Sequence, residues 1–164
     1  MPVAFPVVAT LFITCGLQAA GKTTLAKRLE QEQSALRLTA DEWLRELHPA
    51  LAGAELEPLR DPVERVQWGT AIRALDLGCN VVLDWGLWSR QERDHYRSKA
   101  RALGARVVLC VLDPPIDERW ERLSLRNVGL PDDSYLPITW AELEATAAFF
   151  QRPTPEELAL FDPL

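Results

Sequence analysis

The chain has 164 residues, 48% of them hydrophobic and 26% charged, a balance that rules out intrinsic disorder and suits one folded domain spanning 1–164. Twenty-four acidic side chains against eighteen basic ones leave a net charge of −6, which argues against a broad surface for non-specific nucleic-acid binding. Cys15, Cys79 and Cys110 form no CxxC pair, which argues against a disulfide scaffold or zinc site and fits a reducing, cytoplasmic setting, and the apolar stretch over residues 1–15 is too short to span a bilayer.

Residues 7–15 are almost continuously apolar and branched, as a strand buried on both faces should be. A glycine-bearing turn and an amphipathic segment follow, and a weaker apolar run over residues 35–39 predicts a second strand. Asp61-Pro62-Val63-Glu64 has an acidic cap, proline at a first helical position and Glu three residues after the cap, predicting a helix that Gly78 closes. Residues 80–84, Asn-Val-Val-Leu-Asp, predict the third strand. Ser89 and Glu92 have capping-box spacing, and Gly104 closes the helix they open. Residues 106–112 predict the fourth strand, after which Asp113, ahead of Pro114-Pro115, is expected to cap a helix over residues 115–127. Residues 127–137, with Gly129, Pro131, Asp132, Asp133 and Pro137, read as a loop. Thr139/Glu142 and Thr154/Glu157 repeat the capping-box spacing. Apolar runs alternating with amphipathic stretches predict an α/β fold with a mostly parallel sheet of four or five strands.

Gly16-Leu17-Gln18-Ala19-Ala20-Gly21-Lys22-Thr23 is GxxxxGK[ST] between a predicted strand and a predicted helix. Gly16 lets the chain leave the strand sharply, and Gly21 lets backbone approach phosphate closely. Successive N–H groups and the helix N-terminus then form an anion nest, Lys22 brings a charge to the β and γ phosphates, and the Thr23 hydroxyl suits Mg²⁺. The motif predicts a nucleoside triphosphate site.

In open α/β sheets ligands sit beyond the carboxyl ends of the strands, where this chain places Asp41, Asp84 and Asp113. Phosphoryl transfer to an alcohol needs a proton acceptor and a group that organises Mg²⁺. Each acid also has a bland reading. Asp41 lies in a first helical turn where Thr39 and Glu42 have capping-box spacing, and Asp84-Trp85-Gly86 could be a simple turn. Arg119, Arg122 and Arg126 fall within a stripe about 60° wide, beside an apolar stripe of Ile116, Trp120 and Leu123. Guanidinium groups there could neutralise charge on a transferring phosphoryl, or form a solvated face paired with Glu118 and Glu121. Trp85 and Trp88 could line a pocket or pack the core, Trp43 and Arg45 could touch an acceptor, and His48 and His95 have no partners at metal-ligand spacing.

The segments Gly16–Thr24, Thr39–Glu42, Val82–Gly86 and Glu121–Asn127 together resemble the small P-loop kinases of the AAA-domain group, similar to chloramphenicol phosphotransferase, zeta toxins and the 5′-kinase domain of polynucleotide kinases. The resemblance implies a three-layer P-loop kinase fold with a helical lid around residues 119–137. It makes Asp41 the base on the acceptor hydroxyl and places Arg122 and Arg126, with Arg119, around the phosphates. ATP binding would use Gly16, Ala19, Ala20, Gly21, Lys22, Thr23 and Thr24, with Mg²⁺ held by Thr23 and, through water, Asp84. The chain departs from that group at Gln18 and Ala19, where many relatives carry proline and a further glycine, and at Leu44, where polynucleotide kinases tend to place arginine. The expectation is an ATP-dependent phosphotransferase acting on a small-molecule hydroxyl, away from membranes, as a monomer or simple dimer. A polynucleotide 5′-hydroxyl kinase and a nucleotide-dependent binding switch are the alternatives.

Overall fold

The computed structural model describes residues 8–51, 53–128 and 138–164. Four apolar segments form one sheet: β1 (Thr10–Cys15), β2 (Leu36–Thr39), β3 (Val81–Asp84) and β4 (Arg106–Val111), in the order β2-β3-β1-β4 and all parallel. Every residue of β1 and β3 is buried, which their two-sided apolar character dictates for central parallel strands. Parallel neighbours need crossovers, and helices supply them. These are α1 (Lys22–Glu32), α2 (Ala40–Leu47), α3 (Glu57–Asp76) and α4 (Arg90–Ala102), followed beyond β4 by α5 (Ile116–Val128), α6 (Trp140–Ala147) and the short α7 (Pro155–Leu158).

Strand alternation divides the core between two faces. Leu11, Ile13, Leu38, Val81, Leu83 and Val107 point to one side and pack with Leu44, Val63, Ala71, Leu75 and Ala100 of α2, α3 and α4. Phe12, Val82, Val108 and Cys110 point to the other and meet Ala26 and Leu29 of α1. Helices thus cover both faces, giving three layers. Because β1 leads to β2 on one side and β3 leads to β4 on the other, the strand order reverses at the sheet centre, and the crevice there opens above the carboxyl ends. Among the described residues no helix is long and apolar enough to cross a membrane.

Most predicted helix ends hold. Gly78 and Gly104 have φ of 81° and 77°, and complete capping boxes join Ser89 with Glu92 and Thr139 with Glu142. Three expectations change. The helix expected to open at Asp61-Pro62 begins earlier, at Glu57, with Pro58 in its first turn and Pro62 inside it. A proline at that point removes only the bond to the Pro58 carbonyl, and the buried i, i+4 series Val63, Gln67, Ala71 and Leu75 supplies the packing that carries the helix through. Asp113 does not cap α5, which starts three residues later. Its carboxylate instead accepts from Arg152 Nε at 2.6 Å. Thr154 caps α7, but Glu157 turns away from the reciprocal bond toward a buried arginine. Of the loop expected over residues 127–137, residues 129–137 lie outside the described residues.

Candidate functional site

The turn after β1 is anchored at its first glycine. Gly16 N donates to Gly86 O at 3.1 Å, and a Cβ on Gly16 would stand 2.3 Å from Leu112 O, so no larger residue fits. Ala20 N closes the turn on Leu17 O, and Gly21, at φ 97°, leads into α1. No side chain caps α1 and its first turn carries no acid, so its N-terminal amides face the loop without a built-in anion. Lys22 folds back and donates from Nζ to Leu17 O at 2.7 Å. Burial pushes its amine below the usual lysine range. Asp84, Asp41 and Cys15 act in the opposite direction, and Arg119 adds to the lowering. Four side chains from separate segments therefore act electrostatically on Lys22, among them Asp41, Asp84 and Arg119 from the predicted site. Thr23 and Thr24, next on α1, are exposed.

Ala19 sits at φ 57°. A left-handed conformation costs an L-residue about 1–2 kcal/mol, partly offset by the freedom a glycine would gain in the unfolded chain. Ala19→Gly should therefore raise stability by about 0.5–1 kcal/mol, seen as a melting temperature higher by about 2 °C. A lower melting temperature would mean that the methyl group makes contacts worth more than the strain.

Asp84 ends β3 and is 6% exposed. Its Oδ2 accepts from Thr39 Oγ1 at 3.0 Å, while Oδ1, also sealed from solvent, has no hydrogen-bond partner among the described residues. Burial pushes this carboxyl up. The neighbouring Thr23 and Thr39 hydroxyls and the charges of Lys22 and Arg37 pull the other way. An orphaned carboxylate oxygen beside a threonine hydroxyl is the donor set a hard divalent cation prefers, so the residues expected to hold Mg²⁺ fit it.

The same contacts decide the reading of α2. Thr39 spends its hydroxyl on Asp84, and Glu42 accepts from Arg37 Nη1 at 2.9 Å, so the capping box suggested by their spacing does not form. Asp41 is left on the first turn with its side chain 58% exposed, its Oδ1 accepting from Arg60 Nη2 at 2.6 Å. Arg60 was not legible as a site residue. Its spacing to Glu57 and Glu64 signals pairs within α3, which the structure shows at 3.5 and 3.7 Å, but nothing local announces a partner on α2. Burial also pushes the Glu64 carboxyl up to about 7, with Arg60 opposing and Asp61 and Glu92 reinforcing the rise.

The three arginines of α5 diverge. Arg119 and Leu123 are the buried pair of this helix, so the inward face includes an arginine and not only the predicted apolar stripe. Trp120 instead meets Trp140 of α6 edge-on at 5.6 Å. Arg119 is 3% exposed, yet its Nε and Nη1 have no hydrogen-bond partner among the described residues. Arg122 reaches over the loop, donating from Nη1 to Ala19 O and Ala20 O at 3.2 and 3.3 Å and from Nη2 to Glu118 at 3.3 Å. Arg126 lies exposed in the last turn. Trp85 belongs to the core, donating to Gln67 Oε1 at 2.9 Å and meeting Tyr96 edge-on, and Trp43 packs against the same core.

Residues 11–153 match the family described as "AAA domain". Among solved structures, the chain is similar to one from an RNA repair complex, with 19% identity and a TM-score of 0.70 over 99% of this chain and 49% of that one. It is similar to a gluconokinase from Sinorhizobium meliloti, with 18% identity and a TM-score of 0.60 over 92% and 79%. A third likeness is to a structure of the PezAT toxin-antitoxin system of Streptococcus pneumoniae, with 14% identity and a TM-score of 0.70 over 94% and 66%. The chain thus spans about half the length of the RNA-repair chain. No curated protein matches it at a significant level. At these identities the likeness establishes a three-layer, P-loop kinase-like fold.

Proposed function

The chain belongs to the AAA-domain family, and from that premise we propose that it is a kinase that moves the γ-phosphoryl of ATP to a hydroxyl of a small molecule. The observation that carries the reading is geometric: the buried Asp84 presents a carboxylate oxygen without a hydrogen-bond partner among the described residues at the strand end next to the phosphate loop, where Lys22 Nζ lies on Leu17 O and Arg122 reaches over Ala19 and Ala20. Lys22 and the amides of Gly16–Thr24 hold the triphosphate. Thr23 and Asp84 are the residues that would hold Mg²⁺, which when bound neutralises phosphate charge. The acceptor oxygen attacks the γ-phosphorus, the bond to the β-phosphate oxygen breaks to release ADP, and the alcohol proton passes to Asp41. Arg119, with two buried donors lacking hydrogen-bond partners among the described residues, and Arg122, poised over the loop, supply cations to the phosphates, and Arg126 lies one turn further along α5.

The surroundings of Asp41 support a small acceptor over a polynucleotide. Arg60, beside Asp41, is already matched by Glu57 and Glu64, and with Asp61 and Glu92 nearby this side offers, beyond Arg45 on the Asp41 carbonyl, no continuous basic track among the described residues for a phosphate chain. The test is transfer of label from γ-labelled ATP with Mg²⁺ to a panel of sugars, nucleosides, amino alcohols and 5′-hydroxyl oligonucleotides. Label on a small alcohol is the expected result. Label on the oligonucleotide alone transfers the assignment to a polynucleotide kinase, and label found only in inorganic phosphate makes the chain a nucleotide switch.

A further inference from the structure

Trp88 and the C-terminal segment play no part in the chemistry above, yet they converge on the first glycine of the phosphate loop. Both main-chain polar groups of Gly16 are held by the turn after β3. Gly16 N donates to Gly86 O at 3.1 Å, and Trp88 Nε1 donates to Gly16 O at 3.1 Å. The indole reaches that carbonyl by folding back over Gly86, where a Cβ would stand 2.6 Å from Trp88 Nε1. Between them Leu87 is buried at φ 42°, a conformation that a bulky L-residue does not hold unaided.

Arg93 supplies the hold. Its side chain is fully buried, and all five of its donors are used. Nη1 donates to Leu87 O at 3.0 Å and Trp88 O at 3.1 Å. Nη2 donates to Gln151 O at 2.8 Å and Glu157 Oε2 at 3.0 Å, and Nε to Glu157 Oε1 at 2.6 Å. Gln151 N closes the circuit on Trp88 O at 2.9 Å. Burying two charges is expensive, and what offsets the cost here is the set of carbonyls on Leu87, Trp88 and Gln151 that the guanidinium satisfies and an apolar pair of equal volume would leave unpaired. An arginine can satisfy two adjacent carbonyls of a strained turn, and an apolar side chain cannot.

We propose that Glu157, Arg93 and Trp88 are positioning residues for the phosphate loop: the C-terminal segment, through the buried ion pair and the turn at 86–88, sets the orientation of Gly16 and with it the nucleotide affinity. The proposal rests on the loop binding ATP, and the experiment separates the two. Equilibrium titration of ATP with Mg²⁺ is run on the wild type and on Trp88→Phe, Glu157→Gln, the double variant and Leu75→Ala, with melting temperatures for each. Leu75→Ala opens a cavity in the α3 core without touching the circuit. Trp88→Phe removes the N–H donor together with the pyrrole half of the indole and keeps a six-membered aromatic ring, so it remains informative if Glu157→Gln fails to fold, with Leu75→Ala as the control for lost packing.

The expected result is a Kd raised about tenfold by Trp88→Phe, with a fall in melting temperature no larger than that of Leu75→Ala, and a Kd raised by a similar factor in Glu157→Gln. The double variant should be no weaker than the worse single variant, because both act through Gly16. Leu75→Ala should melt lower but bind as the wild type. Wild-type affinity in folded Trp88→Phe, additive losses in the double variant, or an equal loss in Leu75→Ala would each overturn the proposal. A wild type that binds no ATP removes the nucleotide reading itself and the proposal with it.

Discussion

Asp41→Asn should lower phosphoryl transfer about a hundredfold or more while leaving the Kd for ATP with Mg²⁺ within about twofold of the wild type. The asymmetry follows from position. Asp41 projects from the first turn of α2 with its side chain 58% exposed, whereas the proposed triphosphate cradle of backbone amides and Lys22 belongs to a different element. Asparagine keeps the size, the helix and an oxygen for Arg60, and loses the negative charge and with it the ability to take a proton. The ion pair with Arg60 is an exposed one, so its loss should change stability by less than about 1 kcal/mol, and a fallen rate cannot be assigned to unfolding. Transfer rate and Kd, measured on the same preparation, decide the matter. Unchanged turnover would reduce Asp41 to a helix-start acid, and a parallel loss of affinity would place it in nucleotide binding.

Legibility in the sequence follows the range of the interaction responsible. The four strands and the phosphate loop were readable because their signals are local: branched apolar runs, a glycine spacing and a lysine beside a hydroxyl. Gly78 and Gly104 were readable for the same reason. Arg60, Arg93 and Glu157 were not. Arg60 meets Asp41 across 19 positions, and Arg93 meets Glu157 across 64, distances at which no periodicity carries information. Capping-box spacing shows the same limit. Ser89/Glu92 and Thr139/Glu142 close as local chemistry prescribes, while Thr39/Glu42 and Thr154/Glu157 lose their reciprocal bonds to Asp84, Arg37 and Arg93. Where a residue with capping-box spacing serves another partner instead, as Thr39, Glu42 and Glu157 do, that partner is Asp84 of the candidate site, Arg37 beside Thr39, or Arg93 behind the turn that holds Gly16. The failed local rules thus mark the same region that the motif does.

The phosphate loop can be tested without knowing the acceptor. In Lys22→Ala, the rise in melting temperature caused by ATP and Mg²⁺ should vanish. That rise corresponds to about 2.7 kcal/mol in the wild type at a ligand concentration a hundredfold above Kd. Residual transfer should fall by about 10²–10³-fold, the cost of removing one preorganised donor from a developing phosphate charge. The unliganded variant should melt no lower than the wild type, and the sign follows from burial. Desolvation holds the Lys22 amine below the usual lysine range, so the charged form is less stable folded than unfolded, a cost that builds as pH falls from the unfolded pKa to the lowered folded one and is constant below it. Alanine removes the cost, while the partial attraction of Asp84 and Asp41, lost at the same time, limits the gain. A lysine retained for packing would behave oppositely, with the melting temperature falling and the nucleotide-induced rise intact. The two measurements therefore distinguish a residue kept for the fold from one that the fold tolerates at a cost because a phosphate will share its pocket.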